Sequence, residues 1–275
     1  MPGPFYGHQP ADGLHILKDV WCQKAHFGAQ SQSLVENDQL SVAIAATSTR
    51  APIRHQGFRL HRELAEAIHE NEQERRLESA MMRRWGSAGM WPIPGAWTRL
   101  IACQVPLFDQ QEKQGWGYID LLGVTADGLP VVVELKKAPE ALVDGKTVAT
   151  ETPLRMVLEA ASYAIALRKN WDHFRPEWIA RLSELGLSDQ VTDQVPLTLE
   201  RVGLVAAAPA SFWIDWLPVT EKGRTVAIET WESFRALLRD FEKANLPVSF
   251  VSISGHDQNI NGLAVQPLVG FPLIV

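Results

Sequence analysis

Three residues carry the chemistry most directly: Asp120, Glu134 and Lys136, inside Tyr118-Ile-Asp-Leu-Leu-Gly-Val-Thr-Ala-Asp-Gly-Leu-Pro-Val-Val-Val-Glu-Leu-Lys-Lys137. Ala126-Asp127-Gly128 between two apolar runs is a hairpin signal. A three-residue loop there sets Asp120 directly opposite Glu134. Opposed residues of an antiparallel pair share a face with Cβ atoms ~4.5–5.5 Å apart. Two carboxylates that close repel unless a cation lies between them. Hard oxygen ligands of this kind suit Mg²⁺ or Mn²⁺. Lys136, two residues after Glu134, projects from the same face and reaches the edge of the same site. There an ammonium can stabilise charge developing on a phosphate. A two-residue turn would shift the register and break the pairing.

The surrounding elements must position these groups. Residues 59–85 read as the longest helix, with Leu60, Leu64 and Ile68, then Leu77, Met81 and Trp85, at a spacing of four. Trp97 to Phe108, Gly115 to Thr125 and Leu129 to Lys137 read as strands, and 138–152 as a polar loop. A helix follows from Pro153 to about Lys169, with Thr152 as N-cap and proline at its first position. Trp178 to Leu185 reads as a short helix, Leu199 to Ala208 as a strand buried on both faces, Thr230 to Ala244 as an amphipathic helix and Pro247 to Ser254 as a strand. In the N-terminal 58 residues, Leu40, Val42, Ile44 and Ala46 recur at a spacing of two and suggest a strand from Asp38 to Ala46. The expected fold class is α/β or α+β with a central mixed sheet flanked by helices. The expected organisation is an N-terminal extension (1–58), a core (59–210) and a helix-strand addition packed on it (211–275).

Composition limits the alternatives. Of the 275 residues, 46% are hydrophobic and 21% charged, which suits a globular chain. Lys and Arg number 26 against 32 Asp and Glu, a net charge of −6. That argues against a generally basic nucleic-acid binder but leaves room for a local basic groove. Two cysteines, Cys22 and Cys103, make neither a disulfide framework nor a multi-cysteine zinc site. No apolar run reaches the ~18 residues of a membrane helix, and no signal peptide is evident, so a cytoplasmic protein without membrane partners is expected. No Walker-type phosphate loop and no nucleophile elbow occur, so no nucleotide cofactor and no serine hydrolase chemistry are expected.

Ile119-Asp120, a thirteen-residue gap and Val133-Glu134-Leu135-Lys136 resemble the core motif of the PD-(D/E)XK nuclease superfamily. Gly117-Tyr-Ile-Asp-Leu-Leu-Gly123 and Val131-Val-Val-Glu-Leu-Lys136 are most similar to its RecB-like and NucS-like branches, and Glu159-Ala-Ala-Ser-Tyr163 occupies the place of their Gln-x-x-x-Tyr helix motif. The resemblance covers about half the chain. It implies a restriction endonuclease-like α-β-β-β-α-β core and a metal-dependent DNA nuclease, endo- or exonucleolytic. Such an enzyme hydrolyses a phosphodiester with a metal-activated water to leave a 3′-hydroxyl and a 5′-phosphate. By the same resemblance, Asp120, Glu134 and the Leu135 carbonyl bind Mg²⁺ or Mn²⁺ and Lys136 is catalytic. Glu78 on the preceding helix supports the site, with Glu74 the second choice, and Glu159 and Tyr163 orient substrate phosphate. The chain departs from the pattern where Ile119 replaces the proline and Glu159 replaces glutamine; the loop at 138–152 is long and the flanks match nothing. A homodimer would suit a double-strand cutter, though nothing in the sequence demands one.

Weaker nucleic-acid contacts are Trp116, placed to stack on a base, Arg83 and Arg84 in the basic run after Arg75 and Arg76, and Arg155, one turn before Glu159. Each residue also has a plain reading. On that reading Lys136 and Lys137 end a strand, Glu134 and Lys136 form a buried structural pair, Tyr163 belongs to the core, and Arg155 pairs with Glu159. The competing functional class is a catalytically silent, nuclease-like module that binds nucleic acid or protein.

Overall fold

The computed structural model describes residues 7–20, 24–54, 73–86, 91–93, 96–108, 116–137, 141–143, 146–148, 151–187, 191, 193–214, 216, 228–268 and 271. Three helices open the chain, α1 (Leu14–Val20), α2 (Phe27–Val35) and α3 (Gln39–Arg50), and α4 spans Gln73–Trp85. Strands β1 (Trp91–Ile93), β2 (Ala96–Pro106), β3 (Tyr118–Thr125) and β4 (Pro130–Leu135) follow, then a small pair, β5 (Ala141–Val143) and β6 (Lys146–Val148). Helices α5 (Pro153–Lys169) and α6 (Trp171–Glu184) lead to β7 (Gly203–Pro209) and the short α7 (Ala210–Ile214). Helix α8 (Ile228–Lys243), β8 (Val248–Ser254) and β9 (Ala264–Pro267) close it.

The fold is mixed α/β. Its main sheet has seven strands in the order β1-β2-β3-β4-β7-β8-β9. β1 to β4 form an antiparallel meander, β7 lies parallel to β4, β8 parallel to β7, and β9 antiparallel to β8. Alternation along the pleat divides the sheet's side chains. Leu122, Val124, Val132, Leu204, Ala206 and Phe250 join the core shared with α1, α2, α3, α5 and α8. Leu121, Val131, Val133, Val205, Ala207 and Ile253 face Leu77, Met81 and Trp85 of α4.

Helix α5 forms where expected. The Thr152 hydroxyl accepts the Arg155 amide at 3.1 Å, and Pro153 needs no donor partner. Every side chain from Met156 to Leu167 is buried, which its alanine-rich surface permits on all sides. The sheet lies against one side of α5, and α1 and α3 against another.

Three expectations need correction. Residues 39–50 are helical, not a strand: Leu40, Ala43 and Thr47 are the buried positions, at helical spacing, while Val42 is 41% exposed. The run Leu40, Val42, Ile44, Ala46 fits both periods, and helical packing decides between them. The loop at 138–152 contains the β5–β6 pair on either side of Asp144-Gly145, a two-residue hairpin signal. The helix expected at Trp178 begins at Trp171. Leu17, Phe27, Phe234 and Phe241, from the segments expected to flank the core, share one buried cluster with Leu122 and Leu204, and β8 and β9 extend the sheet. Of the helix expected over 59–85, residues 59–72 lie outside the described residues, as does Cys22.

The β3–β4 register is the one the three-residue turn dictates. Leu121 pairs with Val133 and Leu122 with Val132, so Asp120 and Glu134 come next in line. Gly128 closes the turn at φ +73°, and a Cβ there would lie 2.8 Å from the Val191 carbonyl oxygen. Gly128→Ala therefore incurs the left-handed penalty of about 1–2 kcal/mol plus a backbone clash. Urea denaturation should show a loss of at least that size, whereas Asp127→Ala, at the exposed tip, should leave stability within about 0.5 kcal/mol.

Candidate functional site

The β3–β4 ladder stops at Leu121 and Val133, one pair short of Asp120 and Glu134. The Asp120 carboxylate takes over there, its Oδ2 accepting the Leu135 amide at 2.9 Å. β4 remains tied to β7 through the Lys136 amide, which donates to the Ala207 carbonyl at 2.9 Å. Where the ladder has ended, side chains from both helical layers reach the strand ends.

From the α4 layer come Glu74 and Glu78, four residues apart on one helix face. Their carboxylate oxygens and one of Asp120 all lie within 4.8 Å of one another. Gln104 of β2 donates from its side-chain amide to Glu78 Oε2 at 2.7 Å. Cys103 pairs with Leu121 and Val105 with Ile119, so Gln104 lies across from Asp120. Gln104 has φ +48°, a conformation that side chains seldom adopt and that clusters at functional sites.

From the α5 layer comes Glu159. The Lys136 ammonium contacts Glu134 Oε1, lies 3.1 Å from Glu159 Oε2 and 3.7 Å from Glu151 Oε2. Lys18 of α1 reaches the other oxygen of Glu159, at 3.0 Å, and lies over the Tyr163 ring. The Tyr163 hydroxyl donates to the same Glu159 oxygen at 3.1 Å. A side chain on Gly117 would come within 2.6 Å of that hydroxyl, so glycine gives Tyr163 its space. Glu134 and Glu78 are each 2% exposed, and among the described residues Glu134 Oε2 is buried without a hydrogen-bond donor.

Five carboxyl groups therefore meet two ammonium groups in a nearly dry volume. Burial, then Asp120, pushes Glu78 up to about 8 against the pull of Gln104. Burial pushes Asp120 up to about 7 against Lys136. Burial, then Asp120 and Glu159, hold Glu134 well above the usual carboxylate range, and burial raises Glu74. Glu159 goes the other way: burial would raise it, but Lys136 and Lys18 together hold it ionised, well below the usual range. Burial would lower Lys136, but Glu134, Glu159 and Asp120 outweigh it and fix its positive charge. Burial, then Glu159, keeps the Tyr163 phenol protonated.

The structure thus gathers Asp120, Glu134, Lys136, Glu78, Glu159 and Tyr163. Leu135 contributes its amide, to Asp120. Among the described residues, Glu74, Glu78 and Asp120 form a triad that could hold a metal ion, with Glu134 turned to Lys136. Raised carboxyl groups, hard oxygen donors and an unsatisfied Glu134 oxygen fit a divalent cation: such an ion supplies the charge that lets these carboxyls ionise.

The weaker candidates fall elsewhere. Trp116 precedes β3 and lies in the core, stacked on His15 at 4.4 Å and edge-on to Phe108 at 5.3 Å, so the expected base-stacking role is corrected to packing. Arg83 and Arg84 are exposed in the last turn of α4, roughly 13 Å along the axis from Glu74. The Arg155 guanidinium lies 2.8 Å from Glu151, and its charge also helps to lower Glu159. Lys18, Gln104 and Gly117 were not anticipated. Gln104 had one signal, a lone polar residue in the apolar run Leu100-Ile-Ala-Cys-Gln-Val105. Lys18 had none, because 141 positions separate it from Glu159.

The chain matches no family model, no curated protein and no solved structure.

Two measurements follow from the site. Asp120 and Glu78 keep protons in the folded chain that the unfolded chain releases near pH 4, so their contribution to stability is full below that pH and is lost as pH rises through about 7–8. Without metal, the melting temperature should fall between pH 5 and 8, and Asp120→Asn should flatten the slope. Lys18→Met should cost roughly 1–3 kcal/mol in denaturant titration, because Glu159 loses a buried partner. Adding Glu159→Gln to Lys18→Met should recover part of that loss, as a double-mutant cycle would show.

Proposed function

We propose that this protein is a divalent-metal-dependent phosphodiesterase acting on DNA, of the PD-(D/E)XK type. The observation that carries the reading is the convergence of Asp120, Glu134 and Lys136 from one hairpin with Glu78 from the helix before it and Glu159 from the helix after it. The succession α4, β2, β3, β4, α5, β7, with three antiparallel strands and a parallel fourth, supports it.

Asp120, Glu74 and Glu78 would hold a Mg²⁺ or Mn²⁺ ion, with Glu134 the nearest further carboxyl. Such an ion, when bound, neutralises phosphate charge and makes water more acidic. The chain's own groups do the rest. Lys136 carries a fixed positive charge next to the acidic set, where it stabilises charge on a phosphate oxygen. Glu159 stays ionised and, with Glu134, orients that ammonium. Lys18 offsets the Glu159 charge, so glutamate at this position does not repel substrate as a lone carboxylate would. The Tyr163 hydroxyl fixes the Glu159 rotamer.

A second reading is favoured by one observation: Lys136 is already engaged by Glu134 and Glu159, as in a structural ion-pair network. On that reading the chain is a silent nuclease-like module, neither needing Asp120 nor responding to metal.

The two readings separate in a cleavage assay on single-stranded, linear duplex, circular and mismatched DNA with Mg²⁺, Mn²⁺ or EDTA. The nuclease reading expects metal-dependent cutting that falls at least about 100-fold in Lys136→Ala and in Asp120→Asn. It also expects Mn²⁺ to raise the melting temperature of wild type more at pH 8 than at pH 6, since the ion displaces protons from Asp120 and Glu78. No cutting on any substrate, with no metal-induced rise in melting temperature, would leave the silent module.

A further inference from the structure

A second concavity lies beside this site, on the α4 side of the sheet. It is a cleft of about 390 Å³ at the C-terminal ends of the parallel strands β4, β7 and β8. In open α/β sheets this is where ligands bind, and the volume falls in the range of about 300–1,000 Å³ usual for small-ligand pockets. Its lining combines an apolar floor, Leu77, Pro209 and Ile253, with Arg76, Lys137 and His256. Asp257 is the acidic member, its Oδ2 2.6 Å from Arg76 Nε. That contact uses one of the five N–H donors of the guanidinium fork and anchors the fork across the cleft. Among the described lining residues, Arg76 and Lys137 are the basic side chains and Asp257 the acidic one, in a chain whose overall charge is −6.

The cleft and the acidic site share their walls. Arg76 lies on α4 between Glu74 and Glu78, the two helix residues of the carboxylate triad. Lys137 directly follows Lys136, and its backbone amide bonds to the Glu74 carboxylate. Successive residues of an extended segment project to opposite sides, so Lys136 serves the acidic site while Lys137 lines the cleft. An anionic chain crossing the end of β4 would meet both cations in succession. A planar fork held by a carboxylate is the arrangement that reads phosphate oxygens in two directions.

We propose that this cleft is a phosphate subsite, in which Arg76 and Lys137 bind a phosphodiester of the nucleic-acid strand next to the one at the acidic site. The proposal rests on the phosphodiesterase reading for its choice of ligand. The apolar floor gives the sugar or base of that nucleotide a dry surface. Most of the lining (Pro209, Ser211, Ile253, Gly255, His256 and Asp257) comes from the end of β7 and the segments beyond it, which gives the C-terminal part of the chain a role in substrate binding.

The test is fluorescence anisotropy of a 5′-fluorescein-labelled thymidine oligonucleotide with the full chain in Ca²⁺ and in EDTA, over a range of salt. Arg76→Ala and Lys137→Ala should each weaken binding roughly five- to tenfold and lower the salt slope by about 1. Arg76→Lys keeps the charge, guards against a folding artefact and should recover part of the affinity. Inorganic phosphate is the second probe: it should raise the melting temperature of wild type and not of the Arg76→Ala, Lys137→Ala double variant. If wild type binds the oligonucleotide and both alanine variants bind it equally well with unchanged slope, the subsite is refuted while the cleavage reading stands on its own assay. If phosphate binds at the cleft and no oligonucleotide does, the strand assignment is overturned, and with it the phosphodiesterase reading. If neither probe binds, both proposals fall.

Discussion

Mutual repulsion of buried carboxyl groups governs this structure. Coulomb energies grow as water is excluded, and desolvation itself penalises each ionised group. Asp120, Glu78 and Glu134 respond with raised pKa values, Glu159 by recruiting two ammonium groups. The site therefore divides into a proton-rich half under α4 and an ion-paired half under α5. Lys136 is the hinge between them, since it touches Glu134 and Glu159 and also lowers the cost of ionising Asp120. A divalent cation at the α4 half would remove the reason for protonation there. On the proposed reading, resting and working electrostatics differ by one ion and two or three protons, with no change of fold required.

The pairing also explains why the N-terminal helices belong to the core. Glutamine at position 159 would need only hydrogen bonds. Glutamate, at 8% exposure, needs charge, and Lys136 alone must serve Glu134 as well. Lys18 meets that need from α1, which packs on α5. A lysine 5% exposed is rare without a partner, and Glu159 and the Tyr163 ring are the partners that make it tolerable. Helix α1 and the site thus stabilise each other, and a chain lacking α1 would expose part of the α5 surface as well as lose the cation.

What was legible in the sequence was whatever local chemistry decides. The Ala126–Gly128 turn fixed the register of β3 against β4, because only a three-residue loop ending in a left-handed glycine sets Leu121 against Val133. Thr152 and Pro153 marked the start of α5 to the residue. Asp120, Glu134 and Lys136 stood out because charge in an apolar strand needs a reason. The failures are tertiary. Residues 39–50 satisfy a period of two and of three to four equally, and only packing against α1 and α5 makes them helical. Lys18 and Gln104 look ordinary in sequence, and become part of the site through contacts no local pattern encodes. Trp116 was assigned to the β3 face by counting back from Asp120. β3 begins only at Tyr118, so the alternation does not extend that far and the indole turns to His15.

The division of labour between Lys136 and Lys137 shows how one strand end can serve two surfaces. The pair closes an apolar strand, and a charged pair at that place is ordinarily a solvated terminus. Here the Lys136 amide is still bonded to Ala207, so alternation persists beyond the last strand residue and sends the two side chains apart. One goes to the carboxylates of β4 and α5, where it is neutralised. The other goes to a cleft lined also by Arg76 and Asp257. The net acidity of the chain then works in favour of selectivity: a polyanion is repelled by most of the surface and attracted where α4 and β4 place their cations together. That pattern suits a ligand that meets Lys136 and Lys137 in succession. A phosphodiester chain spanning the strand end meets this condition.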